Sequence, residues 1–233
     1  MSAYSKLKRA AFTALTLTTA LHVPAQGAFG NLNFESAVII PVSGDPYGRV
    51  QFAQAFPGWT GTINGSLETH ALYNNMFLDS SGIGIQGPGS NRNLSGNYTA
   101  MLQSGFALSG PPTQAHASLS QTAVVPAAAR SLQFKASAYG PFEVTLNDQS
   151  LSLTPILVAS GYTVYGANIE AFAGISSKLT FTTIPKQTAP IITTVFVDDI
   201  VFSSQIIPEP SAFGLFGLGA LLLGWRLRTK AAM

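Results

Sequence analysis

Ser131-Leu-Gln-Phe-Lys-Ala-Ser-Ala-Tyr139 alternates residue by residue, placing Leu132, Phe134, Ala136 and Ala138 on one side and the polar residues on the other. Successive side chains of a strand point to opposite faces, so the run predicts a strand with one buried and one solvated face. Just downstream, Phe142-Glu-Val-Thr-Leu146 turns through Asn147-Asp148 into Leu151-Ser-Leu-Thr154. That reads as a hairpin. Further strand signals lie at Ala117 to Val125, Tyr162 to Tyr165, Lys178 to Thr183 and Thr194 to Phe202. Short strands at this spacing, with helix signals nearly absent, predict an all-β fold, an antiparallel β-sandwich.

The breaks between strands are equally legible. Ser80 to Gly96 is Gly/Ser/Asn-rich and reads as a loop, with Ile83 and Ile85 able to pair as a short strand inside it. Gly110-Pro111-Pro112 marks another break, and Ala167 to Gly174 fits one helical turn. No repeat of fixed period appears, which removes propellers and solenoids.

Both ends differ from this middle. Lys6, Lys8 and Arg9, then the apolar run Ala10 to Leu21 and the small-x-small site Ala25-Gln26-Gly27, form a secretory signal peptide, N-terminal signal helix included, over 1–27. At the other end, 206–233, Pro208-Glu209-Pro210 precedes the uncharged segment Ala212 to Trp225 and then Arg226, Arg228 and Lys230. As a helix that segment would span roughly 20 Å, short of a hydrocarbon core of roughly 30 Å. Leu227 and snorkelling arginines narrow the gap, and a core helix seldom sits beside a basic cluster. The segment is therefore read as a C-terminal transmembrane helix with its basic end cytoplasmic. Between the two ends, 28–205 is one domain, long enough for a real core.

Charge and cysteine narrow the function classes. The chain holds twelve Lys and Arg against ten Asp and Glu. Three of the bases lie in the first segment and three in the last, while Glu209 is the sole acid outside the domain. Six bases against nine acids leave the domain at about −3. Nucleic acid is excluded as a partner, because phosphate neutralisation needs a basic face. With no cysteine, a core or a bound ion must do what disulfides do in many exported domains.

The order Pro208-Glu209-Pro210, Gly/Leu/Phe-rich segment and Arg226/Arg228 terminus resembles the PEP-CTERM sorting signal of Gram-negative bacteria. The resemblance implies recognition by an exosortase-type protease at the inner membrane, removal of the helix, and delivery to the cell surface or extracellular matrix.

Within the domain, Asn31-Leu-Asn-Phe34-Glu35, Phe56-Pro57-Gly58-Trp59 and Phe196-Val-Asp198-Asp199-Ile200 resemble the first strand, early aromatic and last strand of jelly-roll, galactose-binding-like modules. That superfamily includes many carbohydrate-binding modules. The resemblance implies a structural calcium held by Glu35, Asp198 and Asp199; the alternative is that these acids cap strands or bond to backbone. Calcium seeks several oxygen ligands, and carboxylates gathered from distant positions repel unless a cation separates them.

Sugar recognition needs an aromatic platform with convergent polar groups. Trp59 is the platform expected from sequence, with Tyr73, Tyr98, Tyr139, Tyr162 and Tyr165 also available. No His metal pattern and no G-x-S-x-G elbow occurs in the domain. The expectation is a non-enzymatic surface or matrix protein with a structural or adhesive role. The alternatives are a module binding matrix polysaccharide and, behind it, a polysaccharide hydrolase, for which scattered acids would have to pair.

Overall fold

The alternating run is a central strand of one of two sheets. The computed structural model describes residues 27–108, 113–186 and 192–207. The predicted signal helix and transmembrane helix, with Pro208, Glu209, Pro210, Arg226 and Arg228, lie outside the described residues. Among the described residues no helix is long and apolar enough to cross a membrane.

In chain order the early strands are β1 (Arg49–Gln51), β2 (Thr60–Ile63), β3 (Ser66–Leu67), β4 (His70–Tyr73) and β5 (Gly82–Gln86). The middle of the chain supplies β6 (Thr99–Phe106), β7 (Gln114–Ala115), β8 (Ala117–Val124), β9 (Ser131–Ala138) and β10 (Phe142–Leu146). Last come β11 (Gln149–Ser150), β12 (Thr154–Val158), β13 (Thr163–Asn168), β14 (Ser176–Thr183) and β15 (Thr193–Ser203). A four-residue helix α1 (Phe52–Ala55) follows β1. The expected helical turn is a 3₁₀ turn at Glu170–Phe172.

The larger sheet runs β1-β4-β5-β6-β15-β9-β13-β12, with β7 added on β6, and the smaller runs β11-β10-β14-β8-β2-β3. Every named pairing is antiparallel except β4 with β5. The two sheets enclose one main core. Phe34 meets Phe56 edge-on and tilts against Trp59, while Phe134 meets Phe181 edge-on from the opposite sheet. Each such ring removed from water contributes about 1.5–3 kcal/mol of transfer free energy.

Leu132, Phe134 and Ala136 are buried as the alternation requires, and Ala138 points the same way at the frayed strand end, exposed. The Asn147-Asp148 turn is also present. Both residues have positive φ, 51° and 59°, the backbone a two-residue hairpin turn needs to match strand twist. The returning arm differs from expectation. It is the two-residue β11, after which the chain leaves the smaller sheet and joins the edge of the larger one as β12.

Two other departures shape the candidate site. Asn31 to Glu35 is a turn rather than a first strand, with Asn31 and Phe34 at φ 50° and 58°. Its turn pushes the Phe34 ring into the core. Strand β6 gives little alternation because its outer face is covered too: Met101, with Leu72 and Phe196, packs beneath Met76, Phe77 and Leu94. A strand buried on both sides loses the period-two signal.

Candidate functional site

Strand β15 carries an extra residue. Asp198 faces Lys135 on β9, but the next pair is Val201 with Gln133, so three steps on β15 oppose two on β9. This is a β-bulge, which re-aims side chains. Asp199 sits in it with φ 46°. The bulge brings the Asp199 Oδ2 to 2.7 Å from Lys135 Nζ. Lys135 also donates to the Ser95 hydroxyl at 3.3 Å and lies over the Tyr162 ring at 5.2 Å. Burial works against the Asp199 carboxylate, yet the hydrogen bonds from Lys135 and Ser95 and the ammonium charge outweigh it and hold its pKa below the ordinary value.

Asp198 points the other way, into a covered position. It is fully buried. The Thr99 hydroxyl donates to its Oδ2 at 2.6 Å and the Asp199 N–H to its Oδ1 at 2.7 Å. Burial nevertheless pushes its pKa up to about 7, against the pull of those two donors.

Glu35 reaches the same loop from its far side. Its Oε1 accepts the backbone N–H groups of Asn97 and Tyr98, at 2.8 and 2.9 Å, and its Oε2 accepts Asn97 Nδ2 at 3.1 Å. Gly96, at φ 55°, leaves room for this, since a Cβ there would collide with the Glu35 carboxylate. The structure thus brings the three predicted acids to one segment, Ser95 to Thr99, which they clamp from two sides. Their oxygens face N–H, O–H and ammonium donors, and Lys135 supplies the positive charge. Calcium needs six or more oxygen ligands around one point. Among the described residues no group of three or more His, Asp or Glu is placed to hold a metal.

Trp59 is not the platform its position suggested. It is 5% exposed, its indole N–H donates to the Asn31 carbonyl at 3.0 Å, and its ring packs against Phe34 and Phe181. No ring face remains for a sugar. Tyr73, Tyr98 and Tyr165 likewise pack against the core.

An exposed ring, Tyr139, lies instead on the outer face of the larger sheet beside the half-buried Tyr162. A cleft of ≈ 330 Å³ is lined by Tyr139 and Tyr162, by Asn91 and Arg92 of the clamped loop, and by Ser137. Tyr139 is 65% exposed and stands edge-on to Phe196 beneath it. Asn93, also on the cleft wall, donates through Nδ2 to the Gly87 and Asn97 carbonyls, while its Oδ1 is buried with no partner. Rings flanked by amide, hydroxyl and guanidinium groups can take a polyhydroxylated ligand by stacking and hydrogen bonding. Tyr139 and Tyr162 were visible in sequence only as two tyrosines among several. Arg92 and Asn91 carried no signal at all, because a loop's position over a sheet is a tertiary fact.

No curated protein matches the chain. Among solved structures it is similar to TmCBM61, determined in complex with beta-1,4-galactotriose, at 13% identity and a TM-score of 0.42, covering 76% of this chain and 97% of that one. It is also similar to the enzymatically active domain of tailspike protein 4 from bacteriophage CBA120, at 15% identity and a TM-score of 0.35. There the match covers 62% of this chain and 19% of the tailspike chain. Residues 207–228 match the PEP-CTERM protein-sorting motif, so the chain carries that motif beginning at Ile207, the last described residue of the sandwich.

Proposed function

We propose that this chain is an exported protein of the cell surface or matrix, sorted through its PEP-CTERM motif, whose jelly-roll-like sandwich has an adhesive role. The motif supports the route: such signals are recognised by an exosortase-type protease, after a step in which the apolar segment Ala212 to Trp225 holds the protein in the inner membrane. The predicted signal peptide accounts for entry into that route. Adhesion is assigned to the cleft beside Tyr139 and its partner to extracellular polysaccharide. The observation that carries this is the exposure of Tyr139 beside Tyr162, Arg92 and Asn91.

The reading is binding rather than catalysis. Glycoside hydrolysis needs two carboxyls flanking the scissile bond, and the cleft is lined by none among the described residues. Asp198 and Asp199, on the strand that also carries Phe196 of the cleft, are committed to Thr99 and Lys135.

Affinity electrophoresis of the full-length protein in detergent, through gels containing neutral or acidic polysaccharides, tests the proposal. Retardation of the wild type by at least one polymer is expected. Tyr139→Ala should weaken it about three- to tenfold, the equivalent of one aromatic contact. Unchanged mobility in every polymer would remove the glycan and leave a purely structural role.

A further inference from the structure

The point where the chain leaves the sandwich is unusually well defined. Asn168 of β13 bonds to both backbone groups of Ile207, and the Ile207 side chain is buried. It lies over Gly166, where a Cβ would come within 2.7 Å of Ile207 Cδ1 and 2.5 Å of Ile156 Cδ1.

The surroundings of that point are apolar. In register, Gly166 faces Gln133 of β9, which faces Val201 of β15. One outer row away, Lys135 faces Val164, which faces Leu157 of the edge strand β12. Side chains opposed in this way project from the same face. A register shift between Pro155 and Leu157 adds Ile156. Ile156, Leu157, Val201 and Ile206 are each between 44% and 56% exposed, and a groove of ≈ 540 Å³ runs beside Val164 and Val201. The charged groups on the groove, Lys135 and Asp199, neutralise each other.

Four residues, Pro208 to Ser211, separate this patch from the uncharged segment that begins at Ala212. Fully extended they span at most about 14 Å. A bilayer that receives the segment therefore lies within that distance of the patch, and contiguous exposed apolar surface marks a contact site.

We propose that this face rests on the bilayer surface while the C-terminal segment is attached, with Ile156, Leu157, Val201 and Ile206 at the headgroup–acyl boundary. The inference rests on the membrane step of the sorting reading above. Lipid is the occupant because the chain itself leads from the patch into lipid. A few aliphatic side chains whose basic neighbour Lys135 is neutralised by Asp199 bind a membrane weakly, so removing the segment frees the face along with the protein. The cleft beside Tyr139 then becomes the dominant contact.

The chain has no cysteine, so Leu157→Cys, Val201→Cys and, on the outer face of the smaller sheet, Thr122→Cys each accept one environment-sensitive fluorophore. Full-length protein is reconstituted into phosphatidylethanolamine/phosphatidylglycerol vesicles. Labels at 157 and 201 should brighten at least twofold, shift to the blue and be quenched by nitroxide-bearing lipid, with the label at 122 unaffected. Vesicle-bound protein with unquenched labels at 157 and 201 would overturn the face alone. Protein that fails to float with vesicles would sink the membrane step, and this inference with it. Labels shielded from lipid in a cross-linkable dimer would reassign the patch to a second copy.

Discussion

Asn168 holds Ile207 by both polar groups of its backbone: Nδ2 donates to the carbonyl at 3.2 Å, and Oδ1 accepts the N–H at 2.8 Å. The side-chain amide thereby replaces a neighbouring strand. Together with the Ser131 hydroxyl, which donates to the Gln205 carbonyl at 2.6 Å, it fastens the first residue of the sorting motif to the sandwich.

Asn168→Ala should free residues 205–207 while leaving the rest folded. Each lost bond costs about 0.5–1.5 kcal/mol net, paid mostly in local opening. Thermolysin cleavage before Ile206 or Ile207 is expected to accelerate at least fivefold, with the global melting temperature within a few degrees of wild type. An unchanged cleavage rate would mean that burial of the Ile207 side chain and the Ser131 bond to Gln205 hold the segment without Asn168.

Trp59→Ala should cost about 3–5 kcal/mol in urea unfolding, the usual range for emptying a large aromatic site in a core. Tyr139→Ala should be nearly neutral in the same assay because its ring is exposed. The ranking reverses in affinity electrophoresis, where folded Trp59→Ala protein keeps the wild-type retardation. Loss of glycan binding by folded Trp59→Ala would return the platform role to Trp59.

Stability should fall as pH rises from 4 to 7. The folded-state pKa of Asp198, raised by burial to about 7 from the ordinary 3.8, means that the native state holds an extra proton across that window. The contribution is fully present below about pH 4 and lost by about pH 7, a change of about 2–4 kcal/mol. Burial raises Glu68 as well, adding to the slope. Asp45, held down to about 2 chiefly by its hydrogen bond from Arg49, acts at lower pH. Asp198→Asn keeps an oxygen acceptor for the Asp199 N–H and presents an amide N–H to the Thr99 hydroxyl where Oδ2 accepted from it. Its urea midpoint should vary much less between pH 4.5 and 7.5, leaving the part that Glu68 contributes; a slope equal to wild type would place the proton elsewhere.

Chelation should leave the melting temperature unchanged, since Glu35, Asp198 and Asp199 already bond to Asn97, Tyr98, Thr99 and Lys135. Glu35→Ala, by contrast, strips two backbone N–H groups of their acceptor and should cost about 1–3 kcal/mol. It should also weaken glycan retardation by loosening the loop that carries Arg92. A fall of several degrees in EDTA, restored by calcium, would instead establish a bound ion, because a ligand of the folded state alone raises its stability.

Much of the sandwich was legible because alternation is a local signal. β9, β10, β14 and β15 each keep an apolar inner face, and Asn147-Asp148 announces its own turn. The signal failed at β6, where Met101 and Gln103 on the outer face are covered by the loops that carry Phe77, Ser80 and Leu94. The resemblance to jelly-roll modules, rather than alternation, made Asn31 to Glu35 a first strand, and there the chain turns and Phe34 goes into the core.

The candidate site divides along the same line. Glu35, Asp198 and Asp199 stood out as acids at suggestive positions, and they do converge. What they converge on, the segment Ser95 to Thr99 and the ammonium of Lys135, depends on a one-residue bulge that no composition or period encodes. The sequence alone determined export, the sorting motif, the all-β class and the acidic balance of the domain, because each follows from the order and kind of neighbouring residues. Only the tertiary structure decided that Trp59 is core, that Tyr139 is surface and that Ile207 is held by Asn168, because burial depends on which distant segment comes to lie on top.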